Sequence, residues 1–137
     1  MSVREFNLST PREGMINITS HVQQAVKESG ITSGLCVVFT PHTTAAITIN
    51  ENADPDVMRD FILGMDTAFP DNRAFRHGEG NSPAHLKSSS VGCSETIIVE
   101  QGRLLLGTWQ GIWFCEFDGP RSRRFWVKII SDGGVGA

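Results

Sequence analysis

Residues 76–87 carry a high density of side chains able to transfer protons or bind ions. Two of the four histidines, His77 and His85, lie in this segment with Glu79, and glycines separate them. Imidazole titrates near neutral pH and is a common metal ligand, and a nearby carboxylate orients it or raises its pKa. We therefore predict a functional loop here, with Glu79 orienting a histidine or handling a proton.

A second polar stretch begins at His42. Apolar and polar residues alternate over residues 42–50, which is typical of a strand whose polar stripe is headed by this histidine. Glu51 follows directly and is a second candidate for acid-base chemistry. Because neither stretch alone has enough groups for a closed site, we predict that His42, His77 and His85 converge within a few ångströms.

Three histidines suggest two kinds of site. A catalytic zinc ion typically has three protein ligands and an open position for water, and His42, His77 and His85 could supply those ligands. The cofactor would then be a divalent metal, Zn or Mg. The three residues lack His-x-x-x-His spacing, so a cluster of hydrogen-bonded histidines without metal is the alternative.

Anion binding is a further candidate function of the same segment. The helix start that we predict at Ser82 offers free backbone donors, Arg76 and Lys87 add positive charge, and Ser88 adds a hydroxyl. Asn81 belongs to the same candidate set. These residues would contact a phosphate or carboxylate, although serines near a helix end also occur as plainly solvated residues.

Gln110 is the remaining candidate ligand-binding residue. It stands at the start of an apolar strand between two glycines, where a polar side chain needs a hydrogen-bond partner. The phosphate-binding P-loop, the dinucleotide fingerprint and the nucleophile elbow do not occur. Nucleotide hydrolysis, hydride transfer and α/β-hydrolase chemistry therefore have no support in the sequence.

Helices and strands must position these groups. The chain length and the pattern of apolar and polar residues predict one α+β domain over residues 1–137, with a mostly antiparallel twisted sheet or sandwich and about three short helices. The helices are predicted from residue 18 to a stop at Gly30, from Pro55 to Met65, and from Ser82. The strands are predicted at residues 3–9, 34–40, 42–50, 95–100, 103–107, 109–117 and 124–130. We expect residues 34–40 at the centre of the sheet, covered on both faces, and the last two strands to form a hairpin.

The net charge and the length of the apolar runs limit the classes of partner that the chain can bind. The net charge is −3, so nucleic acid has no general attraction and could use only the local cluster Arg121, Arg123 and Arg124. No apolar run reaches the ~18 residues of a membrane span. We expect no nucleic-acid or membrane partner and a cytoplasmic location. Because three short helices cannot cover all the apolar strands, we expect some of that surface to be buried against other copies of the chain.

Five ordered blocks carry a resemblance to a known family. They read PHTTA at residues 41–45, INENADP at 49–55, EGN at 79–81, AHLKSS at 84–89 and GTWQGIW at 107–113. They resemble the YjbQ-like family over nearly the whole chain. That resemblance implies a small, single-domain α+β protein that forms homotrimers and is often labelled a secondary thiamine-phosphate synthase.

The resemblance implies a reaction that joins a hydroxymethylpyrimidine diphosphate to a thiazole phosphate, with diphosphate leaving. His42 and His85 match family motifs, and His77 stands at the place of a further family histidine, although its spacing from His85 is shorter than in some relatives. In one hypothesis the chain is a weak transferase in which His42, Glu51, Glu79 and His85 are catalytic, and a metal or cations stabilise the departing diphosphate. In the other it is a non-catalytic trimer that binds a metal or a small phosphorylated molecule.

Overall fold

The computed structural model describes residues 3–133, which form three helices and eight strands. The helices are α1 (Thr19–Ser29), α2 (Pro55–Ala68) and α3 (Ser82–Val91). The strands are β1 (Arg4–Ser9), β2 (Gly14–Asn17), β3 (Ser33–Phe39), β4 (Ala45–Glu51), β5 (Ser94–Glu100), β6 (Arg103–Leu104), β7 (Gln110–Glu116) and β8 (Ser122–Ser131). All strand pairs are antiparallel. The predicted α+β class, with three helices and antiparallel sheets, is confirmed.

The larger sheet has five strands in the order β1-β8-β3-β5-β6, so β3 is central, as predicted. The expectation that β3 is covered on both faces is wrong for the single chain. Cys36 and Val38 are fully buried, whereas Leu35 is 44% exposed, because successive side chains of a strand point to opposite faces. Gly34 permits a close strand contact, since a Cβ there would lie 1.9 Å from the carbonyl oxygen of Ile130.

The smaller sheet has three strands in the order β2-β7-β4 and is covered on both faces. Ile47 and Phe114 point into the main core, which also takes side chains from α1 and from the larger sheet. Ala46 and Cys115 point the other way, into a second cluster that includes Ala84 of α3. The two sheets and α1 therefore enclose one core, and α2 and α3 cover the outer face of the smaller sheet.

The connection between β7 and β8 differs from the prediction. These strands were expected to pair as a hairpin, but β7 lies in the smaller sheet and β8 in the larger one. Strand β2 was not predicted, and β6 spans only two residues where five were predicted. Strands β2 and β6 are too short to show a clear alternation of apolar and polar residues.

Helix α2 shows how local sequence fixes the direction of the chain. Asp54 caps its N-terminus by accepting a hydrogen bond from the backbone N–H of Asp56 at 2.9 Å, and Pro55 is its first residue. The helix starts near the end of β4 that carries Glu51 and runs back to the opposite end, where Asp66 contacts Lys87. No helix within residues 3–133 is long and apolar enough to cross a membrane.

Candidate functional site

Three histidines from separate parts of the chain line one open cavity of about 370 Å³. His42 precedes β4, His77 lies in the loop between α2 and α3, and His85 lies in the first turn of α3. Arg121, just before β8, and Arg123, within it, complete the polar wall. We call this the histidine cavity, and its lining is Pro41, His42, Thr43, Thr44, His77, Glu79, Asn81, His85, Arg121 and Arg123.

His77 and His85 contact each other edge to face, with ring centroids 5.2 Å apart. The carboxylate of Glu79 approaches His77, with 4.0 Å between Oε1 and Nε2. Glu79 is 72% exposed, so solvent weakens this interaction. The arrangement allows Glu79 to orient His77 or exchange a proton with it.

His42 is held differently, through the backbone of β8. Its Nε2 accepts a hydrogen bond from the N–H of Arg124 at 2.9 Å, so the neutral ring carries its proton on Nδ1. Burial lowers the pKa of His42, and the charges of Arg123 and Arg124 lower it further. His42 is therefore a neutral hydrogen-bond donor at neutral pH.

The donor set does not fit a three-histidine metal site in this conformation. A metal needs a free lone pair on each ligand nitrogen, but the acceptor nitrogen of His42 is bound to the Arg124 amide. Residues 3–133 contain no group of three or more His, Cys, Asp or Glu placed to hold a metal ion. The assignment of His42, His77 and His85 as ligands of Zn or Mg thus has no support from the geometry.

Below the cavity lies a buried ion pair that the sequence did not reveal, between Glu116 at the end of β7 and Arg123 in β8. Nε of Arg123 donates to Oε1 of Glu116 at 2.7 Å, and Nη2 donates to Oε2 at 2.5 Å. Glu116 also accepts from the Thr10 hydroxyl at 2.5 Å and from the Asp118 N–H at 2.9 Å. Burial acts to raise the pKa of Glu116, but these hydrogen bonds outweigh it and the pKa is lowered.

Lys87 does not line the histidine cavity, although it was predicted to bind an anion there. Its ammonium group contacts the carboxylates of Asp66 and, at 3.4 Å, Glu13, and it lines a neighbouring cavity of about 250 Å³. Burial raises the pKa of Glu13, and its hydrogen bond with Asp66 adds to the increase. Because two carboxylates already surround the ammonium group, its charge is balanced within the protein.

The other residues predicted to contact an anion are Ser88, Asn81 and Arg76. Two of them have hydrogen-bond partners within the protein, and the third is exposed to solvent. The Ser88 hydroxyl donates to the carbonyl oxygen of Ala45 at 2.7 Å and fixes α3 to β4. Asn81 lines both cavities, and its Nδ2 donates to Asp118 at 2.7 Å. Arg76 is exposed in the loop before His77. Of this set, only Asn81 lines the histidine cavity.

Glu51 and Gln110 lie at the opposite end of the smaller sheet, where they are partners in register. The Glu51 carboxylate accepts from the Ala53 N–H at 2.8 Å, and Oε1 of Gln110 accepts from the Gly107 N–H, also at 2.8 Å. Strand β4 separates this end from the histidine cavity by roughly 20 Å, at about 3.3 Å per residue. The chain therefore does not bring these two predicted site residues to the histidines.

Comparison with known proteins identifies the family. The model of the family "UPF0047 protein YjbQ-like" matches residues 4–132. The chain belongs to the YjbQ-like family. It is 55% identical over 123 residues to the UPF0047 protein YugU of Bacillus subtilis, covering 89% of this chain and 93% of that protein. It is 57% identical over 121 residues to the UPF0047 protein MJ1081 of Methanocaldococcus jannaschii, covering 88% of each.

Solved structures of YjbQ-like proteins have the same fold. A protein of the family from Clostridium acetobutylicum is 56% identical, with a TM-score of 0.90 over 93% of this chain and 99% of that chain. A YbjQ-like protein of unknown function from Sulfolobus solfataricus is 32% identical, also with a TM-score of 0.90, over 96% of this chain and 97% of that chain. The architecture is thus shared at low identity, and the function must be argued from the site.

Proposed function

We propose that this YjbQ-like protein binds the phosphate group of a small phosphorylated molecule in the histidine cavity. The observation that supports the proposal is the lining, which brings His42, His77 and His85 together with Arg121 and Arg123. Imidazole N–H groups and guanidinium groups are hydrogen-bond donors suited to phosphate oxygens. The cavity volume of about 370 Å³ leaves room for a small organic group beside the phosphate.

We infer that the reaction, if the bound molecule reacts, is of the thiamine-phosphate synthase type. The bond between the pyrimidine methylene carbon and the diphosphate oxygen breaks, and the electron pair leaves with the diphosphate. The thiazole nitrogen then forms a C–N bond to the same carbon. Arginine and histidine donors would stabilise the charge that develops on the diphosphate, which is the largest contribution that such a site offers.

Binding without catalysis is the second candidate. It is favoured by the placement of Lys87 and Glu51, since one is balanced by two carboxylates and the other lies at the far end of β4. The groups left in the cavity for proton transfer are His77, His85 and Glu79. A site of this composition can hold a phosphorylated molecule and leave it unchanged.

One experiment tests the binding and a second tests the reaction. The imidazole resonances of the protein are followed by NMR during titration with inorganic phosphate and with diphosphate, and shifts at His42 and His85 are expected. Purified protein is then incubated with both thiamine precursors and Mg²⁺, with His85→Ala as the control. Absence of any shift would remove the binding proposal, whereas shifts without product above the control would leave binding and exclude the reaction.

We also propose that the protein forms homotrimers through the outer face of the larger sheet. Leu35 is paired with Ile98 on one side and with Ile130 on the other. Their exposed fractions are 44%, 52% and 46%, so a continuous apolar row faces outward. Such a row is typical of a surface buried by association. Light scattering that reports a monomer at micromolar concentration would contradict this proposal.

A further inference from the structure

The ion pair of Glu116 and Arg123 is costly for a fold of this size. Glu116 is 0% exposed and Arg123 is 5% exposed. Removing two charges from water costs several kcal/mol per ion, and well-packed apolar residues in place of a buried pair are often equally stable or more stable. Stability alone therefore does not explain why these charges are buried beside the cavity.

The hydrogen bonds of Arg123 leave one edge of its guanidinium group unused. Nε and Nη2 donate to the two carboxylate oxygens of Glu116, and Nη2 also donates to the Thr44 hydroxyl at 2.8 Å. Nη1 forms no hydrogen bond with any side chain or backbone group within residues 3–133, and Arg123 lines the histidine cavity. The guanidinium plane is thus fixed on one side and open on the other.

His42 offers a second donor at the same cavity. Its Nε2 is bound to the Arg124 amide, so its Nδ1 carries the proton, and Nδ1 has no partner in the described part of the chain. Arg121, the other arginine of the lining, is instead engaged by the carbonyl oxygen and the carboxylate of Asp118. Arg123 is nearly buried and fixed by two residues, and His42 is fixed by a backbone N–H, so, within the described structure, each presents an unpartnered donor to the cavity from a held position.

We propose that Nη1 of Arg123 is the anchor for a phosphate oxygen of the ligand and that Glu116 is its positioning residue. The proposal rests on the proposed function and deepens it, because it names the atom that anchors the phosphate group and the residue that orients that atom. Glu116 fixes the guanidinium plane, and Thr10 and Thr44 fix Glu116 and Arg123 in turn. A preorganised donor loses little freedom when the ligand binds.

Inorganic phosphate is the probe, and calorimetry on the full chain measures its dissociation constant. The first variant is the double substitution Glu116→Leu with Arg123→Met, which replaces the charges by apolar side chains and is expected to fold. We expect its phosphate affinity to fall roughly ten- to a hundredfold, as for the loss of charge-assisted hydrogen bonds. Arg59→Met, which removes an exposed arginine of α2, is the matched control and is expected to bind like the wild type.

The second variant, Glu116→Gln, separates positioning from simple charge. It removes a negative charge beside the cavity, so electrostatics alone predicts tighter phosphate binding. If Glu116 positions Arg123, binding instead weakens several-fold, because an amide presents one acceptor oxygen where the carboxylate presents two. Tighter binding would overturn the positioning role.

The remaining outcomes separate this inference from the proposed function. Wild-type protein that binds neither phosphate nor diphosphate would overturn the proposed function. Wild-type and double-variant proteins that bind phosphate equally well would overturn the role of Arg123 while the proposed function stands. Thermal unfolding of each variant confirms that a lost affinity does not reflect a lost fold.

Discussion

Removing Arg123 while keeping Glu116 is expected to destabilise the protein strongly. The substitution Arg123→Met deletes two hydrogen bonds of 2.7 and 2.5 Å to a carboxylate that is 0% exposed. The Thr10 hydroxyl and the Asp118 N–H remain as its partners. Breaking a buried pair from one side typically costs about 3–5 kcal/mol, because an uncompensated charge stays in the interior.

Urea unfolding at pH 7 measures this loss, and a thermal scan gives the corresponding fall in melting temperature. A loss of about 3–5 kcal/mol corresponds to a fall of roughly 10–20 °C for a domain of this size. The double variant, in which Glu116→Leu accompanies Arg123→Met, is expected to recover most of the stability. With the single variant Glu116→Leu measured as well, the double-mutant cycle gives the coupling energy of the pair.

The pH dependence gives an independent check. The folded state lowers the pKa of Glu116 below its ordinary value of 4.5. A lowered carboxyl pKa contributes stability that is present above the unfolded pKa and is lost as the pH falls through the folded pKa. In Arg123→Met the unpaired carboxylate takes up a proton more readily, so the deficit relative to wild type shrinks in acid. A single variant within about 1 kcal/mol of wild type at pH 7 would refute the description of this pair.

Three further outcomes are expected. Long-range ¹H–¹⁵N NMR at pH 7 finds His42 neutral with its proton on Nδ1, and its titration lies below that of a free histidine; an Nε2–H tautomer contradicts the hydrogen bond to Arg124. Lys87→Met lowers the free energy of unfolding by about 1–2 kcal/mol at pH 7, because Lys87 contacts two carboxylates. Calorimetry is expected to find its phosphate affinity unchanged, and weaker binding would show that Lys87 contacts the anion. Ile98→Asp lowers the mass measured by light scattering, since a charge then stands in the exposed apolar row, and an unchanged mass excludes this face as the interface.

The strands and helices were largely predictable because their apolar spacing is regular, but their pairing was not. The apolar, aromatic-rich run of β7 and the alternation in β8 indicate two strands, yet neither pattern tells which strands they pair with. The segment of β7 is buried on both faces, with Phe114 in one cluster and Cys115 in the other. Because both faces of β7 must be buried, this strand lies between β2 and β4, whereas β8 belongs to the other sheet. The short connection between β7 and β8 in the sequence suggested a hairpin, but the burial of both faces of β7 favours pairing with β2 and β4 instead.

The site residues show the same division between local and long-range information. The three histidines lie in polar segments that are easily recognised in the sequence, and all three line one cavity. Glu51 was chosen because it follows the His42 stretch, but an extended strand carries neighbours in sequence far apart. Arg123 was missed as a site residue because the last strand was predicted to start at Arg124, whereas it starts two residues earlier, at Ser122. It shares the inward face of β8 with Phe125 and Val127, and a charged residue on such a face is the signal that would have found it.

The ion pair of Glu116 and Arg123 also bridges the two sheets, since Glu116 belongs to β7 and Arg123 to β8. A ligand that binds Arg123 in the native state has no such partner in the unfolded chain. By mass action it raises the unfolding free energy by about 2.7 kcal/mol when present at a hundred times its dissociation constant. The melting temperature therefore reports on the occupant of the cavity, and a thermal-shift screen of phosphorylated metabolites can identify the physiological ligand without any assay of turnover.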